Sequence, residues 1–136
     1  MAKTFQLQII SCDRQFYDGP CEVLVFDGLD GEYGVLPGHE PMVTCLTAGE
    51  LRYKVDGEWH YAAISNGFIA VNPIKTTVMA DTAEFPEEID VRRANEARLR
   101  AEELLRQKQS IQEYYHVQAA LNRAMNRLRV TKRHMH

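Results

Sequence analysis

All eight glycines and all five prolines of this 136-residue chain fall within its first 86 residues. From Glu87 onward Ala, Arg, Glu, Gln and Leu take over. The change of character is made at Phe85-Pro-Glu-Glu-Ile-Asp-Val-Arg-Arg-Ala94. Pro86 biases Phe85 away from the helical region and cannot itself sit inside a helix. Asp90 is placed as an N-cap, accepting a hydrogen bond from a backbone N–H of the first helical turn. The chain therefore divides into a strand-rich body, residues 1–86, and a helical tail, residues 87–136.

In the body, Phe5, Leu7 and Ile9 alternate with polar residues, as in a half-buried strand. Asp18-Gly19-Pro20 is expected to turn the chain, Cys21–Phe26 to form an apolar strand, and Asp27–Gly34 to form a loop. A connection through Pro37 and Pro41 leads to a short apolar run, Met42–Leu46. Leu51, Tyr53 and Val55 alternate before Asp56-Gly57, and Trp59, Tyr61 and Ala63 after it, which is a hairpin signal. Asn66-Gly67 turns into Phe68–Val71, and Asn72-Pro73 separates that run from a last strand, Thr76–Ala80. Short strands with this much turn chemistry predict an antiparallel β-sandwich or barrel.

In the tail, Val91, Ala94, Ala97, Ala101, Leu104 and Leu105 form one apolar stripe at helical spacing. Gln107-Lys-Gln109 interrupts it, and Ser110 with Glu113 forms a capping box that starts a second helix. Ile111, Tyr114, Leu121, Met125 and Leu128 make the second stripe, with Tyr115, Val117 and Ala124 beside it. The short connection predicts an antiparallel two-helix hairpin of about five turns per helix, and the alanines allow close approach. The expected fold class is α+β, an N-terminal antiparallel β-sandwich followed by a C-terminal helical hairpin. An isolated helix pair is marginally stable, so the hairpin needs the body, a ligand or a partner to hold it closed.

The net charge of −3 hides a split. Residues 1–86 carry 5 Lys+Arg against 12 Asp+Glu, and residues 87–136 carry 11 against 7. After Glu113 there are five bases and no acid, so the tail is suited to a nucleotide, a nucleic acid, a lipid surface or an acidic protein face. A solvated helix surface is the plainer alternative. No apolar run approaches a bilayer-spanning length and no signal-peptide pattern opens the chain, so a soluble, cytoplasmic product is expected.

Cys12, Cys21 and Cys45 lack zinc-ligand spacing and are expected to be buried thiols in a reducing compartment. His60 lies in a strand run and reads as structural. No GxxxxGK[ST] loop, HExxH, CxxC or GxSxG occurs, so the chain offers no catalytic constellation and no metal set. A basic helix is also compatible with a nucleic-acid adaptor, but the body is acidic and Tyr114 and Tyr115 lie away from the densest bases.

The stretch Gly31-Glu-Tyr-Gly-Val-Leu-Pro-Gly-His-Glu-Pro41 resembles the signature loop of the epsilon subunits of bacterial F-type ATP synthases. Phe16-Tyr-Asp-Gly19, Ala63-Ile-Ser-Asn-Gly-Phe68, Val78-Met-Ala-Asp-Thr-Ala-Glu84 and the two-helix tail extend the resemblance along almost the whole chain. It implies a non-catalytic rotor subunit, peripheral to the cytoplasmic face of the bacterial membrane. Its partners would be the gamma subunit, the c-ring and, in an inhibitory state, the alpha/beta hexamer, with no nucleic acid and no membrane insertion. Residues 1–86 would bind the rotor, with Glu32 and His39 facing the c-ring; plain turn chemistry is the alternative for those two. Residues 87–136 would inhibit ATP hydrolysis when extended.

Ile89-Asp-Val-Arg-Arg-Ala94 is similar to the I/L-D-x-x-R-A motif of members that bind ATP as a regulatory ligand rather than a catalytic cofactor. The resemblance implies an ATP site made by Glu84, Ile89, Asp90, Arg93, Ala94, Arg100, Arg123 and Arg127. The spacing is consistent with it: Arg93 and Arg100 are two turns apart on one face, and Arg123 and Arg127 one turn apart. Four guanidinium forks suit triphosphate oxygens, while Glu84 and Asp90 would orient arginines or accept from base or ribose. Asp90 as a helix cap alone, and a rotor subunit without nucleotide binding, are the alternatives.

Overall fold

A computed structural model describes residues 3–28, 30–107 and 110–134. The chain separates into two compact units, residues up to Glu84 and residues from Phe85. The first contains β1 (Phe5–Ile10), β2 (Gln15–Cys21), β3 (Val23–Gly28), β4 (Gly31–Val35) and β5 (Met42–Leu46). It continues with β6 (Gly49–Val55), β7 (Glu58–Ile64), β8 (Gly67–Val71), β9 (Lys75–Ala80) and β10 (Ala83–Glu84). The hydrogen-bonded order is β10-β7-β6-β3-β5-β8-β9-β1-β2, with β4 on β3.

Every pairing is antiparallel except β1 with β9, where Leu7 lies beside Thr76 and Ile9 beside Val78 in parallel register. Alternation puts Phe5, Leu7 and Ile9 of β1 inside with Leu24, Phe26, Leu51, Ile69 and Val78. The sheet folds over this core into two layers, and the Tyr17 ring of β2 meets the Tyr53 ring of β6 at 5.1 Å.

The β6–β7 hairpin forms as its pattern predicts, with Val55 opposite Glu58. Asp56 (φ 51°) and Gly57 (φ 79°) both take the left-handed conformation that a two-residue hairpin turn demands. The phase of β7 differs from expectation: His60 and Ala62 pair with the buried Tyr53 and Leu51, and Trp59 is exposed. His60 stacks on Tyr53 with centroids 5.3 Å apart, a packing role.

Two expected turns are strands. Asp18-Gly19-Pro20 lies inside β2, which runs at the end of the sheet path, where Pro20 removes no interior ladder bond. Of the expected loop Asp27–Gly34, Asp27 and Gly28 end β3 and residues 31–34 belong to β4, with Asp27 opposite Glu32 and Gly28 opposite Gly31; residue 29 lies outside the described residues. A short strand, β10, also follows the one expected to be last. Gly67 opens β8 where an added Cβ would collide with the Met79 carbonyl oxygen, so the β8–β9 approach requires glycine there. Of the three cysteines only Cys21 is buried; Cys12 and Cys45 are exposed.

The second unit opens with a 3₁₀ turn, Pro86–Glu88, then α1 (Val91–Arg106) and α2 (Ile111–His134). Asp90 caps α1, its Oδ1 accepting from the Arg93 N–H at 3.1 Å. Ser110 caps α2, its Oγ accepting from the Glu113 N–H at 3.1 Å. Of the interruption between the helices, residues 108 and 109 lie outside the described residues. At 24 residues α2 is nearly seven turns long, well beyond the expected five.

The helices pack along each other, but the stripes differ from those read in the sequence. On α1 the buried residues are Ala94 and Ala101, while Val91 and Leu104 are exposed. On α2 they are Ala124, Asn126 and Val130, while Ile111, Tyr114, Tyr115 and Met125 are exposed. Small side chains let the helices approach closely, and their larger apolar neighbours are left at the flanks.

Candidate nucleotide and rotor-contact sites

The helical unit carries its chemistry in arginines, and local pairing sorts them into two groups. On α1, Arg92 bonds Glu96 at 3.3 Å, Arg98 bonds Glu102 at 3.1 Å, and Arg106 bonds Glu103 at 2.8 Å. These are ordinary ion pairs one turn apart, worth a few tenths of a kcal/mol each. Arg93 and Arg100 have no carboxylate partner among the described residues, nor has Arg123 on α2. The arginines left out of the helix's own charge pairing include three of the four expected to meet phosphate.

Arg93 and Arg100 are exposed on α1, whereas Arg123 and Arg127 are half-buried on α2. The Arg127 carbonyl accepts from the Thr131 hydroxyl at 2.9 Å, within α2. Ala94 is buried on the first turn of α1, and Ile89 is buried just before it. Asp90 spends one carboxylate oxygen on the cap, which leaves the other available. Glu84 belongs to the first unit, at the end of β10 opposite Ala63.

The two residues expected to face the c-ring occupy different settings. Glu32 sits in β4, not in a loop, and its carboxylate pairs with Arg52 at 3.0 Å. His39 follows the turn at Gly38 (φ 82°), with its Nδ1 2.8 Å from the Glu40 carbonyl oxygen. The Gly38 N–H donates to the Pro73 carbonyl at 3.0 Å, tying the 36–41 loop to the β8–β9 turn. Arg52 was not singled out from the sequence; its register opposite Val25 sets it near Glu32 only once β3, β4 and β6 are aligned.

A further surface also escaped the sequence reading. On the outer side of β5, β8 and β9, Val43, Phe68 and Met79 are exposed, and Cys45 pairs with Phe68. The signal was present in β8, where Phe68, Ile69, Ala70 and Val71 make both parities apolar, so both sheet faces ask for burial. Among the described residues no group of His, Cys, Asp and Glu is arranged to hold a metal ion.

Residues 4–86 match the family described as ATP synthase, Delta/Epsilon chain, beta-sandwich domain, and residues 87–132 its long alpha-helix domain. The chain is 45% identical over 130 residues to the ATP synthase epsilon chain of Ruminiclostridium cellulolyticum, covering 96% of this chain and 97% of that one. It is 44% identical over 135 residues to the epsilon chain of Caldanaerobacter subterraneus, covering 98% of each. Its fold is similar to a chain in the Euglena gracilis mitochondrial ATP synthase OSCP/F1/c-ring structure, with TM-score 0.78, 25% identity and coverage of 90% and 78%. A chain of the Tetrahymena thermophila central stalk/c-ring structure shares the fold, with TM-score 0.68, 10% identity and coverage of 96% and 98%. From its first strand to its last helix, the chain belongs to the ATP synthase delta/epsilon chain family, as a non-catalytic epsilon-type subunit.

Proposed function

We propose that this subunit works in the rotor of an F-type ATP synthase and that its helical pair is a nucleotide-controlled brake on ATP hydrolysis. The carrying observation is the sorting of the arginines. Arg92, Arg98 and Arg106 are neutralised within α1, while Arg93, Arg100 and Arg123 have no carboxylate partner among the described residues. Together with Arg127 they offer a polyphosphate the planar forks that bind its oxygens in pairs.

The energetics suit a switch. The buried apolar side chains of α1 and α2 are only Ala94, Ala101, Ala124 and Val130, a small gain against the entropy of ordering the pair. Like charges on the two helices add repulsion. A nucleotide that binds the closed pair alone stabilises it by about 2.7 kcal/mol at a hundredfold excess over Kd, enough to decide a marginal equilibrium. High ATP then holds the helices closed, and depletion releases them to extend and stop hydrolysis at the alpha/beta hexamer.

In the body, the exposed Val43, Phe68 and Met79 suit an apolar partner surface, which we assign to the gamma subunit. We assign Glu32 and His39 to contact with the polar loops of the c-ring, with the Arg52 pair of Glu32 opening to share its charge. The subunit then sits peripherally at the cytoplasmic face of the membrane, coupling ion translocation to synthesis. No helix among the described residues is long and apolar enough to cross a bilayer.

Calorimetry of the full chain with ATP tests the nucleotide reading. Binding is expected for the parent, with severe weakening in Arg93→Ala and Arg127→Ala while the sandwich stays folded. No heat of binding at millimolar ATP overturns the nucleotide site and leaves a rotor subunit without one.

A further inference from the structure

Asn126 is the one polar residue among those buried on α1 and α2, at 3% exposure. It lies on the stripe Arg123, Asn126, Arg127, Val130, whose i, i+3, i+4, i+7 spacing puts all four on one side of α2. Ala124 is buried as well, yet lies about 200° around the helix from Asn126 at 3.6 residues per turn. The helix is thus enclosed on two sides, and it packs on both α1 and the 3₁₀ turn.

A helix held by Ala124 and Val130 has little to fix its rotation, because small apolar side chains slide over one another at low cost. A buried amide behaves differently. Its donors and acceptor must be satisfied directionally, and a rotation that breaks those bonds leaves polar atoms unpaired in a dry site. Asn126 is not without a partner here. An acid in its place would set the helix equally well, but would neutralise the neighbouring arginines and repel phosphate. A leucine would pack more favourably and set nothing.

We propose that Asn126 is a positioning residue for the nucleotide site: its buried amide fixes the rotational setting of α2, so that Arg123 and Arg127 are presented together to the phosphates. The inference rests on the ATP reading above. Loss of this setting weakens the charged hydrogen bonds of both arginines, so the terminal phosphate, which distinguishes ATP from ADP, is no longer read well. The neutral amide also holds down the stability of the closed pair, which keeps it responsive to ligand.

The test uses the full chain and two substitutions that move stability in opposite directions. Asn126→Leu is expected to raise the thermal midpoint of the helical unit, lower ATP affinity about tenfold and bring the ATP/ADP affinity ratio towards one. Asn126→Ser, which keeps a hydroxyl but leaves a void, is expected to lower the midpoint and keep the ratio. Affinity that tracks stability in both variants, or an unchanged ratio in Asn126→Leu, overturns the positioning role. A parent chain that binds no ATP overturns the underlying site reading, and that outcome is seen before any variant is made.

Discussion

The Arg14 guanidinium donates from Nη2 to the Ala83 carbonyl oxygen at 2.9 Å, a bond across 69 residues of sequence. Arg14 immediately precedes β2 and Ala83 lies in β10, the two ends of the hydrogen-bonded path. The bond therefore closes the folded sheet on itself. The same guanidinium lies 5.1 Å from the Phe16 ring centroid, which holds it in place.

Closure at Ala83 means that the sandwich is complete before the helical unit begins. Deleting Phe85–His136 is expected to leave a body that unfolds cooperatively and assembles into a coupled synthase with less inhibited hydrolysis. The checks are a thermal melt of residues 1–84 and hydrolysis by the reconstituted complex. A body that fails to fold or assemble contradicts this division of labour.

Thr76 offers a gain in stability. It is fully buried, flanked by Leu7 and Val71, and its hydroxyl has no hydrogen-bond partner among the described residues. An unpaired buried hydroxyl carries its desolvation cost with no return. Thr76→Val keeps the shape and removes that cost, so stability should rise by about 1 kcal/mol. For a body of this size that is a midpoint shift of roughly 4–8 °C. A calorimetric midpoint that stays put or falls refutes it.

How much of this was legible in the sequence differed by element. The helix starts were written locally: Asp90 and Ser110 cap where a side-chain oxygen precedes a helical pattern. The Asp56-Gly57 hairpin was equally local, since its turn demands positive φ at both residues. Pro20 misled because a proline is excluded from interior strands but tolerated at an edge, and only the tertiary order makes β2 an edge. The parallel β1–β9 pair likewise joins segments far apart in the chain. In the helices, apolar periodicity marked Met125 as core, whereas close packing selected its small neighbour Ala124. The arginines of the candidate site were visible as a motif, but which of them lack a carboxylate partner emerged only with the ion pairs of α1.

The cysteines separate by access. Cys12 and Cys45 are exposed, while burial pushes the Cys21 thiol up to about 11 from 9.0. Two thiols should react rapidly with a disulfide reagent in the native protein, and the third only on unfolding. The linkage has a definite sign, because the fold favours the neutral thiol. Cys21 adds its full share of stability below about pH 9 and loses it progressively towards pH 11, as the unfolded chain ionises first. Denaturation midpoints measured across that range should fall by less in Cys21→Ala than in the parent. Rapid reaction of all three native thiols contradicts the burial.

Charge should also govern the extended, inhibitory state. Arg129, Lys132 and Arg133 are exposed along the end of α2, with Arg123 and Arg127 half-buried beside them. No Asp or Glu follows Glu113 in the sequence. A surface of this kind favours an acidic partner and acts mainly on the rate of association, so added salt should weaken inhibition. Replacing Arg123, Arg127 and Arg129 with Ala should relieve inhibition of hydrolysis in the assembled enzyme. Two of these arginines are also assigned to the nucleotide, so the variant must be compared with Arg129→Ala alone. That single change leaves the candidate ATP site intact and should still relieve inhibition in part, with a smaller salt dependence than the parent. If the triple variant inhibits as strongly as the parent at low and high salt, the helix acts by filling space and the electrostatic account fails.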